Sequence, residues 1–184
     1  MYGMVNRAVE GLVCSKFGED QWEKIKSKAG VEEDVFLSNE SYPDALTYRL
    51  VGAASEVLGL PPEAILEAFG EHWIELAQSS YGELMTMHGR NLGEFLNNLP
   101  NFHTRVALLF PKLQPPRFTV SNETPNSLKL HYYTHREGLA PFVVGLIKGL
   151  GRMFQTPVTI DHCVRRGPGQ DHDVFAVSWP QTGA

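Results

Sequence analysis

Two short stretches hold residue types that can do chemistry. In "FHTRV", residues 102–106, a single imidazole, His103, stands among Leu96, Leu99, Val106 and Phe110. Steps of three and four residues place all five on one stripe of a helix. A lone histidine on such a stripe is more often a satisfied core residue than a ligand. Helix-interior carbonyls are already used by the backbone ladder, so satisfaction requires a partner from another element. The second stretch is "SLKLHYYTHR", residues 127–136. Side chains alternate along a strand, so Leu128, Leu130 and Tyr132 share one face, joined by Thr134 and Arg136 if the chain stays extended. An apolar face would then end in a phenol, a hydroxyl and a guanidinium. The planar fork of Arg136 suits a carboxylate or phosphate, and the two hydroxyls can complete the coordination of such an anion. A sheet end whose polar tips simply reach solvent is the competing reading.

A neutral imidazole facing an apolar cavity is also what a haem iron requires of an axial ligand. Apolar stripes that could wall such a cavity occur at Leu66, Phe69, Trp73 and Leu76, and at Leu139, Phe142, Val143, Leu146 and Leu150. Stripes at helical spacing are usually plain core. His72 adjoins Trp73 and so faces elsewhere. The "DHD" of residues 171–173 has metal-ligand types but lies at a turn-to-strand junction. There is no GxSxG, P-loop, HExxH or GxGxxG in the required context, so nothing builds a hydrolase or kinase.

The elements that must position these groups change character once along the chain. Helical periodicity holds from residue 4 to about 110, punctuated by Gly18, Gly30 and the prolines before 44 and 63. It predicts helices over 5–18, 19–30, 42–59 and 62–78, shorter ones over 81–88 and 91–98, and then the His103 helix to Phe110. After "LQPPRF" come alternating segments at 117–121 and 127–136, a long helix over 139–154, and two more alternating segments at 157–164 and 172–179. The expected class is α+β: a helical N-terminal half followed by a four-stranded antiparallel sheet crossed by one long helix.

The 184 residues suit one domain or two closely joined halves. A formal charge of -5 without a Lys/Arg cluster argues against nucleic acid as a partner. Cys14 and Cys163 form no CxxC or zinc spacing, which fits a reducing compartment. The longest apolar run, "FVVGLI", is too short to span a membrane, and the N-terminus has no signal-peptide core. The expectation is a cytoplasmic protein that is not an enzyme.

In order and spacing, "MYGMVN", "LVGAASEVLG", "FGEHW", "EFLNNLPNFHTRV", "PP", "LHYYTHREGLAP", "GLIKGL" and "DHDVF" resemble the haem-nitric oxide/oxygen binding (H-NOX) family. That family includes the sensor domain of the soluble guanylate cyclase β subunit. The most specific elements are L-x-x-x-H on a helix, a proline thirteen residues on, and Y-x-T-x-R at 132–136 in place of the family's Y-x-S-x-R. The resemblance implies a single domain over 1–184, with a distal helical subdomain over 1–60, a proximal part over 61–184 and haem b held between them. It makes His103 the axial ligand of ferrous iron and Tyr132, Thr134 and Arg136 the clamp on the propionates. Thr134 departs from the family's serine but keeps the hydroxyl. Pro116 would press on the porphyrin, Tyr2 and Val5 would line the pocket, and Trp73, Phe142 and Leu146 would form the distal wall.

Oxygen-binding members carry a distal tyrosine three residues before a helix glycine. Counting back from Gly145, that place holds Phe142. The Trp73 indole N–H is then the evident distal donor, and the resemblance points to NO and CO as ligands with O2 excluded. Its implied mechanism is sensing: NO weakens the Fe–His103 bond, and the freed His103 helix moves. Because the sequence stops at Ala184, a histidine kinase or diguanylate cyclase in trans is the expected partner, unless the chain is part of something longer. An O2-binding haem sensor and a haem-free module for an apolar ligand are the alternatives.

Overall fold

Backbone runs against backbone where two helices of this protein cross, and glycine makes that possible. The computed structural model describes residues 1–110 and 114–180. Its elements are α1 (Gly3–Phe17), α2 (Glu19–Ala29), α3 (Asp44–Leu58), α4 (Pro62–Thr86), α5 (Leu92–Leu109), β1 (Arg117–Thr124), β2 (Ser127–Tyr133), α6 (Ala140–Met153), β3 (Thr159–Val164) and β4 (Asp173–Ser178). The strands form one antiparallel sheet in the order β1-β2-β4-β3, and α6 carries the chain across it. The α+β expectation holds. No helix among the described residues is long and apolar enough to cross a membrane.

Two hydrophobic cores divide the molecule. One joins α1, α2, α3 and the first half of α4, centred on Val9, Ile25, Phe36, Leu50 and Ala54. The other joins the second half of α4 with α5, α6 and the inner sheet face, where Leu128, Leu130, Phe118, Phe175 and Val177 lie. Trp73 packs against both. The seam is the α4–α6 crossing. A Cβ on Gly145 would lie 2.0 Å from the Glu67 carbonyl oxygen, and one on Gly70 would lie 2.2 Å from that of Phe142. Only hydrogen fits there. Outside the seam, Lys148 pairs with Glu67 and Arg152 with Glu71.

Of four expectations, one is met and three need correction. The break expected between the helices over 62–78 and 81–88 is present as a kink inside the span of α4, where Tyr81 leaves helical geometry (φ -135, ψ 22). The helix over 91–98 and the His103 helix, by contrast, are one. Asn91 caps α5 by accepting from the Glu94 N–H, the Glu94 carboxylate accepts from the Arg90 N–H, and the helix runs through Pro100 to Leu109. Proline deletes one backbone bond there. The buried stripe of Leu92, Phe95, Leu96 and Leu99 keeps the helix seated despite that loss. Third, β2 ends at Tyr133, so Thr134 and Arg136 lie in the following loop rather than on the strand face. Last, Leu76 leaves its predicted stripe and is 39% exposed.

Replacing Gly145 with alanine forces α4 and α6 apart and should cost about 3 kcal/mol. Gly52, inside α3 with nothing within 4 Å of a Cβ, is the control. Gly52→Ala should be neutral or stabilise by up to about 1 kcal/mol. Urea unfolding of both variants checks the contrast.

Candidate functional site

His103 lies on α5 where the helix crosses the start of the sheet. Its ring stacks on Phe118 of β1 at 5.5 Å between centroids and 30° between planes. Phe102 flanks it at 6.0 Å. Nδ1 is buried and has no hydrogen-bond partner. The partner from another element that a satisfied core histidine requires is therefore missing at that nitrogen. Burial lowers the imidazole to about 4, so the ring is neutral at pH 7 and keeps a lone pair for a metal.

Phe118 pairs across strands with Tyr132 and stacks on it at 5.2 Å, so the two candidate stretches meet through one phenyl ring. Tyr132 is 4% exposed. Burial pushes its phenol up to about 12, and the Thr134 hydrogen bond and the Arg136 charge offset this only in part. It stays protonated and able to donate. The Thr134 hydroxyl accepts from the Arg136 backbone N–H at 3.1 Å, closing a tight turn. Arg166 braces that turn by donating to the Thr134 and Arg136 carbonyls at 2.8 and 3.1 Å.

The Arg136 fork faces the N-terminal half. Its Nε donates to Asp44 Oδ2 at 2.7 Å and its Nη1 to the Gln114 carbonyl at 3.0 Å. Asp44 Oδ1 also accepts from the Met1 ammonium at 2.6 Å. A carboxylate is thus already on the fork expected to take one, and this bridge ties the first turn of α3 to the loop after β2. Burial alone would raise the Asp44 carboxyl, but the Met1 and Arg136 hydrogen bonds and charges outweigh it and hold the group below the usual range. Asp44 and Arg166 escaped the sequence reading. Asp44, after Pro43, reads simply as a helix start, and Arg166 as part of a polar turn.

The remaining candidates fall into two places. Tyr2 is buried and meets Phe110, at the end of α5, edge-on at 5.5 Å; Val5 is half-buried one turn along α1. Trp73, Phe142 and Leu146 gather along the α4–α6 seam. Phe69 stands between the first two, 6.2 Å from Trp73 and 4.9 Å from Phe142. Pro116 is half-buried just before β1. His72 faces away, with Nδ1 3.2 Å from Glu75. The "DHD" residues serve hydrogen bonds instead: His172 bridges Asp171 and His131, and Asp173 holds His162. No group of three His, Cys, Asp or Glu among the described residues could hold a metal ion.

A neutral imidazole that keeps a free lone pair can take a metal as an axial ligand, and the Tyr132 phenol, which stays protonated, can donate to an acidic group.

Comparison with known proteins gives the same direction. The haem-NO-binding family matches residues 2–162. Soluble guanylate cyclase gcy-35 of Caenorhabditis elegans is 32% identical over 97% of this chain and 27% of its own length. Soluble guanylate cyclase gcy-31 of the same animal is 31% identical over 88% of this chain and 23% of its own. The chain thus spans about a quarter of these relatives. A crystal structure of an H-NOX protein from S. oneidensis in the Fe(II)NO state superimposes with TM-score 0.89 at 20% identity, covering 98% of this chain and 99% of that one. An oxygen-binding H-NOX domain related to soluble guanylate cyclases, in its oxygen complex, gives 0.81 at 19% identity, covering 97% and 95%. At such identity these two structures speak to the fold alone.

Asp44→Asn should destabilise the protein by on the order of 1 kcal/mol at neutral pH. A depressed carboxyl stabilises the fold above its unfolded value and loses that effect as it protonates. The difference from wild type should therefore shrink below about pH 4 and vanish in stronger acid. Denaturant melts at several pH values check this.

Proposed function

This chain belongs to the haem-NO-binding family, and from that premise we propose that it is a gas sensor: a ferrous haem b protein that binds nitric oxide and CO, excludes O2, and signals to a partner protein. The single observation that carries the reading is the neutral imidazole of His103, held by burial among phenyl rings on an otherwise apolar stripe of α5. Bound haem would supply a ferrous iron with one coordination position open to a diatomic gas.

The chain's own residues do the rest. His103 holds the iron from α5. Tyr132, Thr134 and Arg136 receive the propionates, with Arg136 turning part of its fork from Asp44 to do so. Pro116 presses on the macrocycle from the chain entering β1, and Tyr2 and Val5 close the pocket from α1. In this reading residues 1–60 form the distal subdomain and 61–184 the proximal part, of which residues 111–113 and 181–184 lie outside the described segments. The two separate cores support two halves, although Ile65, Leu66 and Phe69 of α4 pack with the helices of residues 1–60. Release of His103 from that iron would be the signal, because α5 would then be held only by its packing and could shift against the sheet.

Selectivity comes from the wall at Trp73, Phe142 and Leu146. A hydrogen-bond donor at this wall would favour O2 over NO and CO; Phe142 offers none, and the Trp73 indole N–H would be the one donor there. The relatives carry this domain as a quarter of a guanylate cyclase, which supports a signalling role that ends in a nucleotide-converting enzyme. A histidine kinase or diguanylate cyclase in trans is the partner proposed.

Reconstitution with haem should give a ferrous Soret band that is unchanged in air and shifts with NO or CO. Absence of any such band overturns the haem reading; a stable oxy spectrum overturns the selectivity alone. Phe142→Tyr should introduce a donor and confer an oxy spectrum that wild type lacks.

A further inference from the structure

Haem-ligating histidines are ordinarily oriented by a hydrogen bond from the second ring nitrogen to a carbonyl or carboxylate. His103 has no such bond, since Nδ1 is buried and unpartnered. Something else must fix the plane of its ring. Resting on the haem reading above, we propose that Phe118 is the positioning residue for His103, setting the imidazole plane by stacking in place of a hydrogen bond.

The geometry is that of a three-ring pile. Phe118 lies 5.5 Å and 30° from His103, and 5.2 Å and 30° from Tyr132. Both separations fall in the range where offset aromatic pairs attract. Phe118 cannot swing away, because it is 3% exposed and its backbone is paired with Tyr132 in the sheet. The sheet therefore holds the ring that holds His103. Phe102, on the same helix as His103, sits further off and more tilted, at 6.0 Å and 45°, and moves with α5 rather than bracing it. The pile also puts the imidazole two rings from Tyr132, the phenol proposed for a propionate, so one aromatic column spans both ends of the candidate site.

A stack and a hydrogen bond differ in what they do to the ligand. A carboxylate acceptor draws the Nδ1 proton and strengthens the donor nitrogen opposite; a phenyl face fixes orientation and leaves basicity alone. The position should accordingly demand a flat ring rather than mere volume.

Phe118→Leu tests this, with Phe118→Tyr as the conservative partner. In the apoprotein, the His103 ring protons should be shifted upfield by the Phe118 ring current in wild type and the Tyr variant, and should move downfield with Leu. In the ferrous haem protein, the Fe–His103 stretching band should shift and broaden with Leu and return with Tyr. Haem loss from the Leu variant should be about twofold to tenfold faster. Unchanged ring shifts and an unchanged Fe–His103 band in Phe118→Leu would overturn the proposal while leaving the haem reading intact. A wild-type protein that binds no haem would defeat the haem reading instead, and the apoprotein ring shifts would still show whether the stack exists.

Discussion

One wall of the candidate site in this protein is placed by the close crossing of α4 and α6. Gly70 and Gly145 let two backbones meet at a distance no side chain would permit. Helices packed through ordinary side chains stand 8–10 Å apart, as a rule. Here the closer approach draws Phe142, Leu146 and Trp73 to the border between the two cores. The crossing also fixes how the N-terminal helices stand against the sheet. A ligand held between the halves would feel any change at this border, because Trp73 packs on both sides of it.

The opposite wall follows a different logic. α5 presents an imidazole that burial keeps neutral, and β1 presents a phenyl ring to its face. Between them there is no polar atom to satisfy Nδ1. Such a group is costly in an apoprotein core, since a buried donor or acceptor left unmade forfeits its bond to water. The cost makes sense where the same ring has a second task on its other nitrogen. The Arg136–Asp44–Met1 bridge is the polar counterpart, a three-member charge network that joins the first residue of the chain to the loop after β2.

Much of this was legible before folding, and the exceptions have physical causes. The apolar period located α1, α2, α3, α6 and the strands because one face of each is buried, and the stripe around His103 was visible for the same reason. The break at Tyr81 was legible, but the continuity of α5 was not. The helix runs through Pro100 because its apolar stripe is held by tertiary packing. Tyr132 announced itself by strand alternation, but Thr134 and Arg136 come together through a loop whose shape depends on Arg166, thirty residues later. Asp44 and Phe118 could not be singled out: an acid at a helix start and a phenylalanine in a strand are both ordinary until their neighbours are known.

The central claim is that His103 holds a haem iron, and ligand replacement tests it most directly. His103→Gly purified with added imidazole should contain haem with a wild-type-like ferrous spectrum, and should lose the haem when imidazole is dialysed away. Haem retained by His103→Gly without imidazole, with an unaltered spectrum, would contradict the account.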